Sequence, residues 1–114
     1  MYKLSDYDVL EILLPDESLK SYKNKKYRAH IRNKHDATER YIYFGDNRYD
    51  QYFDKVGHYK NKDHYDDDRL RKFINRFKSK YDPEILNPTW FSVNILWSTL
   101  PYEPATADNI LLNT

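Results

Sequence analysis

The stretch Tyr41-Ile42-Tyr43-Phe44-Gly45-Asp46-Asn47-Arg48-Tyr49-Asp50-Gln51-Tyr52-Phe53-Asp54 decides how this chain is read. It opens as a strand. Ile42 and Phe44 share one face, and Tyr41 and Tyr43 share the other, the two-residue period of a pleated ribbon. At Phe44-Gly45-Asp46 the alternation stops. Gly45 is one of only two glycines in the chain. A sequence so sparing with glycine is expected to place one at a positive φ or in a tight corner. From Asp46 to Lys62 no period holds, so the segment reads as an irregular crossing with one short helical turn around Tyr49, Tyr52 and Phe53.

On the N-terminal side, Lys26 to Arg32 also alternates, with Tyr27, Ala29 and Ile31 on one face. Asn33 to Thr38 is turn chemistry. The two runs therefore predict an antiparallel hairpin over about 26–44. Val9 to Leu14, cut off by Pro15 before three helical turns, predicts a further strand.

On the C-terminal side, Leu70, Phe73, Ile74 and Phe77 fall at i, i+3, i+4 and i+7, the stripe of an amphipathic helix. Asp66, Asp67 and Asp68 stand before it as cap and dipole partners, and Asp82-Pro83 stops it. The helix is expected over 67–81. A second, over 88–98, starts at Asn87-Pro88-Thr89, with Asn87 or Thr89 as cap. Its stripe would be Trp90, Val93, Leu96 and Trp97, with Phe91 and Ile95 beside it. The fold class expected is α+β: a small antiparallel sheet with two helices packed on one face. Residues 1–98 read as one domain and 99–114 as an extended C-terminal arm carrying the apolar cluster Ile110, Leu111 and Leu112.

Length and composition bound this reading. A chain of 114 residues makes one domain with a small core. Its 17% aromatic content, twelve tyrosines included, offsets that, because each aromatic buries a large area. The formal net charge of +1 argues against a protein built wholly as a nucleic-acid coat. The charge is unevenly placed, however. From Lys20 to Lys34 there are seven Lys/Arg and no acid, and from Asp46 to Asp68 there are seven Asp. The absence of cysteine excludes disulfides, thiolate metal sites and a cysteine nucleophile, and fits a reducing compartment. The first residues are too polar for a signal peptide and no apolar run approaches membrane-spanning length, so neither secretion nor membrane insertion is expected.

The order of motifs resembles a family of small proteins of unknown function encoded by large nucleocytoplasmic DNA viruses. The residues that carry the resemblance are Lys25-Lys26-Tyr27, Phe44-Gly45-Asp46, Tyr49, Gln51-Tyr52, Asp54, Asp63-His64-Tyr65-Asp66, Arg69, Arg76, Trp90-Phe91-Ser92 and Leu96-Trp97. They cover about Lys25 to Trp97. Leu70, Phe73 and Phe77 depart from the arginine, tyrosine and histidine of the family pattern, each replacing a polar group by an apolar one on one helix face. The resemblance implies a viral origin and no reaction.

Four constellations could carry chemistry. Asp63-His64-Tyr65-Asp66 offers carboxylates and an imidazole, but capping by Asp66 accounts for the aspartates. Asp46, Asp50 and Asp54 recur every four residues and could gather a cation, or could neutralise Arg48 and Lys55. The basic run, with Lys23, Lys25, Lys26, Arg28, Arg32 and Lys34 interleaved with Tyr22 and Tyr27, is the nucleic-acid candidate. Trp90, Phe91 and Trp97 suit either an interface anchor or the core. No serine sits in a nucleophile elbow, and two glycines cannot make a phosphate loop.

The function expected is a non-enzymatic structural or assembly protein of a large DNA virus, such as a minor capsid component, without cofactor or metal. It would sit in the virion or in the viral factory of the host cytoplasm. Its partners would be other viral structural proteins or itself, engaged through Tyr22, Tyr49, Tyr52, Trp90, Ile110, Leu111 and Leu112. The rival is a nucleic-acid-binding accessory protein using residues 20–34. A third reading is a metal-dependent enzyme at Asp46, His64 and Asp66.

Overall fold

The structure, a computed structural model, describes residues 1–16 and 22–98. Strands β1 (Tyr2–Lys3), β2 (Tyr7–Leu13), β3 (Lys25–Asn33), β4 (Glu39–Asp46) and β5 (Ile85–Leu86) combine with helix α1 (Asp67–Phe77) and helix α2 (Pro88–Phe91). Strands β2, β3 and β4 form an antiparallel sheet in that order, and β1 pairs antiparallel with β5. The fold is α+β, with the expected hairpin as β3 and β4 and the Val9–Leu14 run as the third strand.

Register follows the apolar pattern. Tyr27 lies opposite Phe44, and Ala29 opposite Ile42. Val9 lies opposite Ile31, and Ile12 opposite Ala29. Val9 and Ile12 are three residues apart, so simple alternation would put them on opposite faces. A bulge between Val9 and Glu11 adds one residue and returns Ile12 to the inner face. The hairpin turn is held by Asn33, whose side-chain oxygen accepts from the N–H groups of His35 (2.8 Å) and Asp36 (3.3 Å).

The inner face of the sheet is covered by the segment from Pro88 onward. Phe44 stacks on Phe91 with ring centroids 5.3 Å apart. Trp90, Phe91, Ile95 and Leu96 are buried with Val9, Tyr27, Ala29, Ile31, Ile42 and Phe44 in one core. The helix expected over 88–98 is shorter and changes pitch. Four α-helical residues give way to a π-helical turn, Ser92–Leu96. The wider winding repeats every five residues, so Trp90 and Ile95 fall on one line, as do Phe91 and Leu96. Ile95 is therefore fully buried, while Val93 and Trp97 are only partly so. Asn87 caps this segment, accepting from the Trp90 N–H at 2.8 Å.

Helix α1 begins as expected, with Asp66 accepting from the N–H groups of Asp68 (2.9 Å) and Arg69 (3.2 Å). It ends at Phe77 instead of residue 81. The Phe77 carbonyl accepts from both Lys80 and Tyr81, which tightens the chain into a turn ahead of Asp82-Pro83. The turn expected around Tyr49–Phe53 does not form. The Gln51 N–H bonds the Lys62 carbonyl and the Phe53 N–H bonds the Leu96 carbonyl, which draws the segment out alongside its neighbours. A 3-10 turn forms later, at Lys60–Lys62. The expected arm 99–114, with Ile110, Leu111 and Leu112, lies outside the described residues, as does Lys20.

Candidate functional site: a sealed polar crossing beside a basic cleft

The crossing from Asn47 to Tyr65 wraps the first residues of β3. Lys26 and Tyr27 point to opposite sides of their strand, yet both are buried, at 2% and 0% exposure. Each finds its polar partners in the crossing. Lys26 Nζ donates to the Tyr49 carbonyl (2.8 Å) and to Gln51 Oε1 (2.5 Å). Gln51 Nε2 donates to the Tyr59 carbonyl (2.8 Å) and to Asp63 Oδ1 (2.6 Å). The same Asp63 oxygen accepts from the Asp54 N–H at 2.8 Å. Asp54, 1% exposed, accepts from Tyr27 OH (2.6 Å), the Tyr59 N–H (2.8 Å) and the Val56 N–H (3.0 Å). The motif residues Lys26, Tyr27, Gln51, Asp54 and Asp63 thus form one continuous network, and its bonds hold the crossing to the sheet.

Electrostatics follow from this sealing. Burial lowers the Lys26 amine to about 8 against the partial opposition of Asp54, and burial lowers Lys55 to about 8. Burial, reinforced by the hydrogen bond to Asp54, raises the Tyr27 phenol. For both lysines the folded value lies below the unfolded one. Between pH 8 and 10 the unfolded chain therefore binds more protons, and stability rises with pH. For Lys26 the expected gain from pH 8 to 9.5 is about 1–2 kcal/mol. Denaturant titrations across this range should show the rise, and Lys26→Met should remove about half of it, leaving the Lys55 share. A flat or falling profile in the parent chain would contradict the sealed amine.

The acidic constellations do not converge. Asp46 accepts from the Arg48 backbone N–H (3.0 Å) and forms a two-point pair with its guanidinium (3.0 and 2.7 Å). That side-chain bonding holds the Asp46 carboxyl down at about 2. Asp50 lies 3.7 Å from Arg69, and Asp54 is enclosed by Tyr27. Asp66 is committed to the helix cap. His64 Nδ1 accepts from the Asp66 N–H at 2.9 Å, and its ring packs against Trp97 and Tyr52. Its Nε2 is buried without a hydrogen-bond partner among the described residues, and burial followed by Arg69 lowers its pKa. Among the described residues no group of three His, Asp or Glu could hold a metal ion.

The basic run does not make one patch. Lys26 is corrected from exposed contact to buried network member. Lys25 turns toward a cleft beside Gly45 and Asp46. Arg28, His30 and Arg32 alternate onto the outer face of the sheet, where Arg28 covers the Tyr41 ring at 4.7 Å. Cross-strand neighbours on that face are acidic. His30 lies 3.3 Å from Glu11 and 2.9 Å from Glu39, while Arg32 is opposite both Asp8 and Glu39. Lys34 lies 4.0 Å from Asp8. Strand period, which sequence spacing alone does not convey, has dispersed these charges.

Two expected interface anchors are likewise corrected. Trp90 is 1% exposed in the core, with its indole N–H on the Pro83 carbonyl (3.1 Å). Tyr52 is 8% exposed, with its hydroxyl on Asp67 (2.7 Å). Tyr49 is well exposed at 65%. Tyr22 is at the surface and stacks on Tyr43, with ring centroids 3.7 Å apart.

Sequence reading missed the cleft between α1 and the crossing. Phe73 stacks flat on Trp97 with ring centroids 4.1 Å apart, and Phe77 lies against Phe73 at 4.7 Å. Two of the apolar departures from the family pattern therefore build its wall. Arg69, Lys72 and Arg76, at i, i+3 and i+7, share one side of α1 and face Tyr49 and Asp50 across an opening of about 410 Å³. Among the described residues neither Lys72 nor Arg76 has a carboxylate within 4.0 Å. The i, i+3, i+7 basic spacing was available in the sequence, but nothing there put Trp97 beside it.

Comparison of the chain with protein-family models, with curated proteins and with solved structures finds no match.

Proposed function

We propose that the protein is a non-enzymatic structural or assembly component that works through protein–protein contacts. One observation carries the reading: the residues best suited to acid–base work, Lys26, Tyr27, Asp54 and Asp63, are spent on one another and on backbone groups inside the fold. What remains open to a macromolecule is the cleft walled by Phe73, Phe77 and Trp97 and edged by Arg69, Lys72 and Arg76. An aromatic wall with unpaired cations suits a protein surface that carries apolar and acidic side chains. No described helix is long and apolar enough to cross a membrane.

The resemblance to the large DNA virus family extends this proposal to a virion component, a minor capsid protein being one form, present in particles or in the viral factory. The test is to purify particles of the source virus, strip them stepwise and follow the protein by mass spectrometry. Release with the shell is the expected result. Release with the genome, together with salt-sensitive binding of the pure protein to single- or double-stranded oligonucleotides, would replace this reading with the nucleic-acid one. Absence from particles would overturn the virion assignment.

A further inference from the structure

We infer that the cleft beside α1 is the docking surface for the chain's own residues 99–114, bound within the same molecule. The inference rests on the reading of this cleft as a protein-binding surface, and it names the occupant.

Three observations converge on it. The first is chemistry. Residues 99–114 contain Glu103 and Asp108, no lysine or arginine, and the apolar residues Leu100, Tyr102, Ile110, Leu111 and Leu112. This composition complements a cleft that offers Phe73, Phe77 and Trp97 for apolar contact and Arg69, Lys72 and Arg76 for carboxylates. Two of those cations, Lys72 and Arg76, have no carboxylate partner among the described residues. The second is position. Trp97 is itself a wall of the cleft, and the segment leaves the described fold one residue later, after Ser98. The third is reach. From Ser98 to Ile110 an extended chain can span about 40 Å, whereas the eleven residues of α1 extend about 16 Å. The apolar cluster can therefore reach any part of the cleft without leaving its own molecule. Attachment at the cleft's edge also gives the segment a high effective concentration there, against which a second copy must compete. An assembly partner that uses the cleft would then have to displace this segment.

The experiment uses the full chain. Equal amounts of unlabelled and uniformly 15N-labelled protein are mixed when dilute, treated with a zero-length carbodiimide reagent and digested. Mass spectrometry then identifies amide links between lysines and carboxylates. The expected result is a link from Lys72 to Glu103 or Asp108, found only in peptide pairs that are wholly unlabelled or wholly labelled. The double variant Arg69→Glu, Arg76→Glu changes two exposed side chains and should lower the yield of that link about tenfold while leaving links elsewhere unchanged. Mixed-isotope pairs would overturn the inference in favour of exchange between copies. No link from Lys72 into 99–114, or an undiminished yield in the double variant, would overturn it outright. Either failure leaves the particle-fractionation result untouched, so the two proposals fail separately.

Discussion

Asp54→Ala is expected to destabilise the fold by about 4 kcal/mol, measured by urea denaturation at neutral pH. Asp54 is buried and its carboxylate is the acceptor for three donors, Tyr27 OH and the N–H groups of Tyr59 and Val56. Alanine removes all three bonds and leaves the donors in a space from which water has been excluded. A hydrogen bond to a charged group contributes about 1.5–3 kcal/mol, and contributions within one network do not add in full. Tyr27→Phe provides the scale. It removes one donor, leaves Asp54 two others and deprives the His58 N–H of its 3.1 Å acceptor, so a loss of about 1–2 kcal/mol is expected. A loss below about 1 kcal/mol for Asp54→Ala would mean that water reaches the crossing. The sealed network, and with it the case against acid–base chemistry here, would then fall.

The parts of the fold legible in the sequence are those in which short-range pattern decides. The period of two in Tyr27, Ala29 and Ile31 and in Ile42 and Phe44 gave a hairpin whose partners pair as the apolar faces require. Asp66 and Asn87 were readable as caps because capping depends on residues only two or three positions away. The pitch change after Phe91 was not readable, because an α-helical stripe through Trp90, Val93 and Trp97 fits the same residues equally well. Only packing against the sheet selects the five-residue repeat that buries Ile95 and Leu96. The site divides in the same way. Lys26, Gln51, Asp54 and Asp63 stood out as polar residues in an aromatic neighbourhood. Nothing in their spacing showed that each would meet the next, since the bond between Lys26 and Gln51 spans 25 residues of chain. The basic run misled for a related reason. Seven cations in fifteen positions read as one patch in sequence, but a strand sends alternate side chains to opposite faces and sets Asp8, Glu11 and Glu39 beside those that face out.

Gly45 shows how closely the corner that opens the crossing is specified. Its φ is +74°, where an L side chain costs about 1–2 kcal/mol. A methyl group there would also lie 3.0 Å from Leu96 Cδ1 and 3.0 Å from Lys26 Cβ. Leu96 can give a little by turning, but Lys26 Cβ is fixed to β3 and its amine is held by Tyr49 and Gln51. Crowding of this kind costs about a further 1–3 kcal/mol, so Gly45→Ala should destabilise by about 3 kcal/mol in total. Gly57 separates the two causes. Its φ is +106°, yet the nearest atom to an added methyl is the mobile end of Lys60, with Cε at 3.2 Å. Gly57→Ala should therefore cost only the backbone term, about 1 kcal/mol. If the two alanine variants unfold at the same denaturant concentration, the close approach of β4 to Lys26 and Leu96 is not what demands glycine at position 45. If Gly45→Ala is clearly the worse, restoring space with Leu96→Ala should recover less than it would at an ordinary overpacked site, because the contact with Lys26 Cβ persists. That outcome would place the specificity of the Phe44-Gly45-Asp46 corner in the closeness of two strands, the condition under which Lys26 can be enclosed at all.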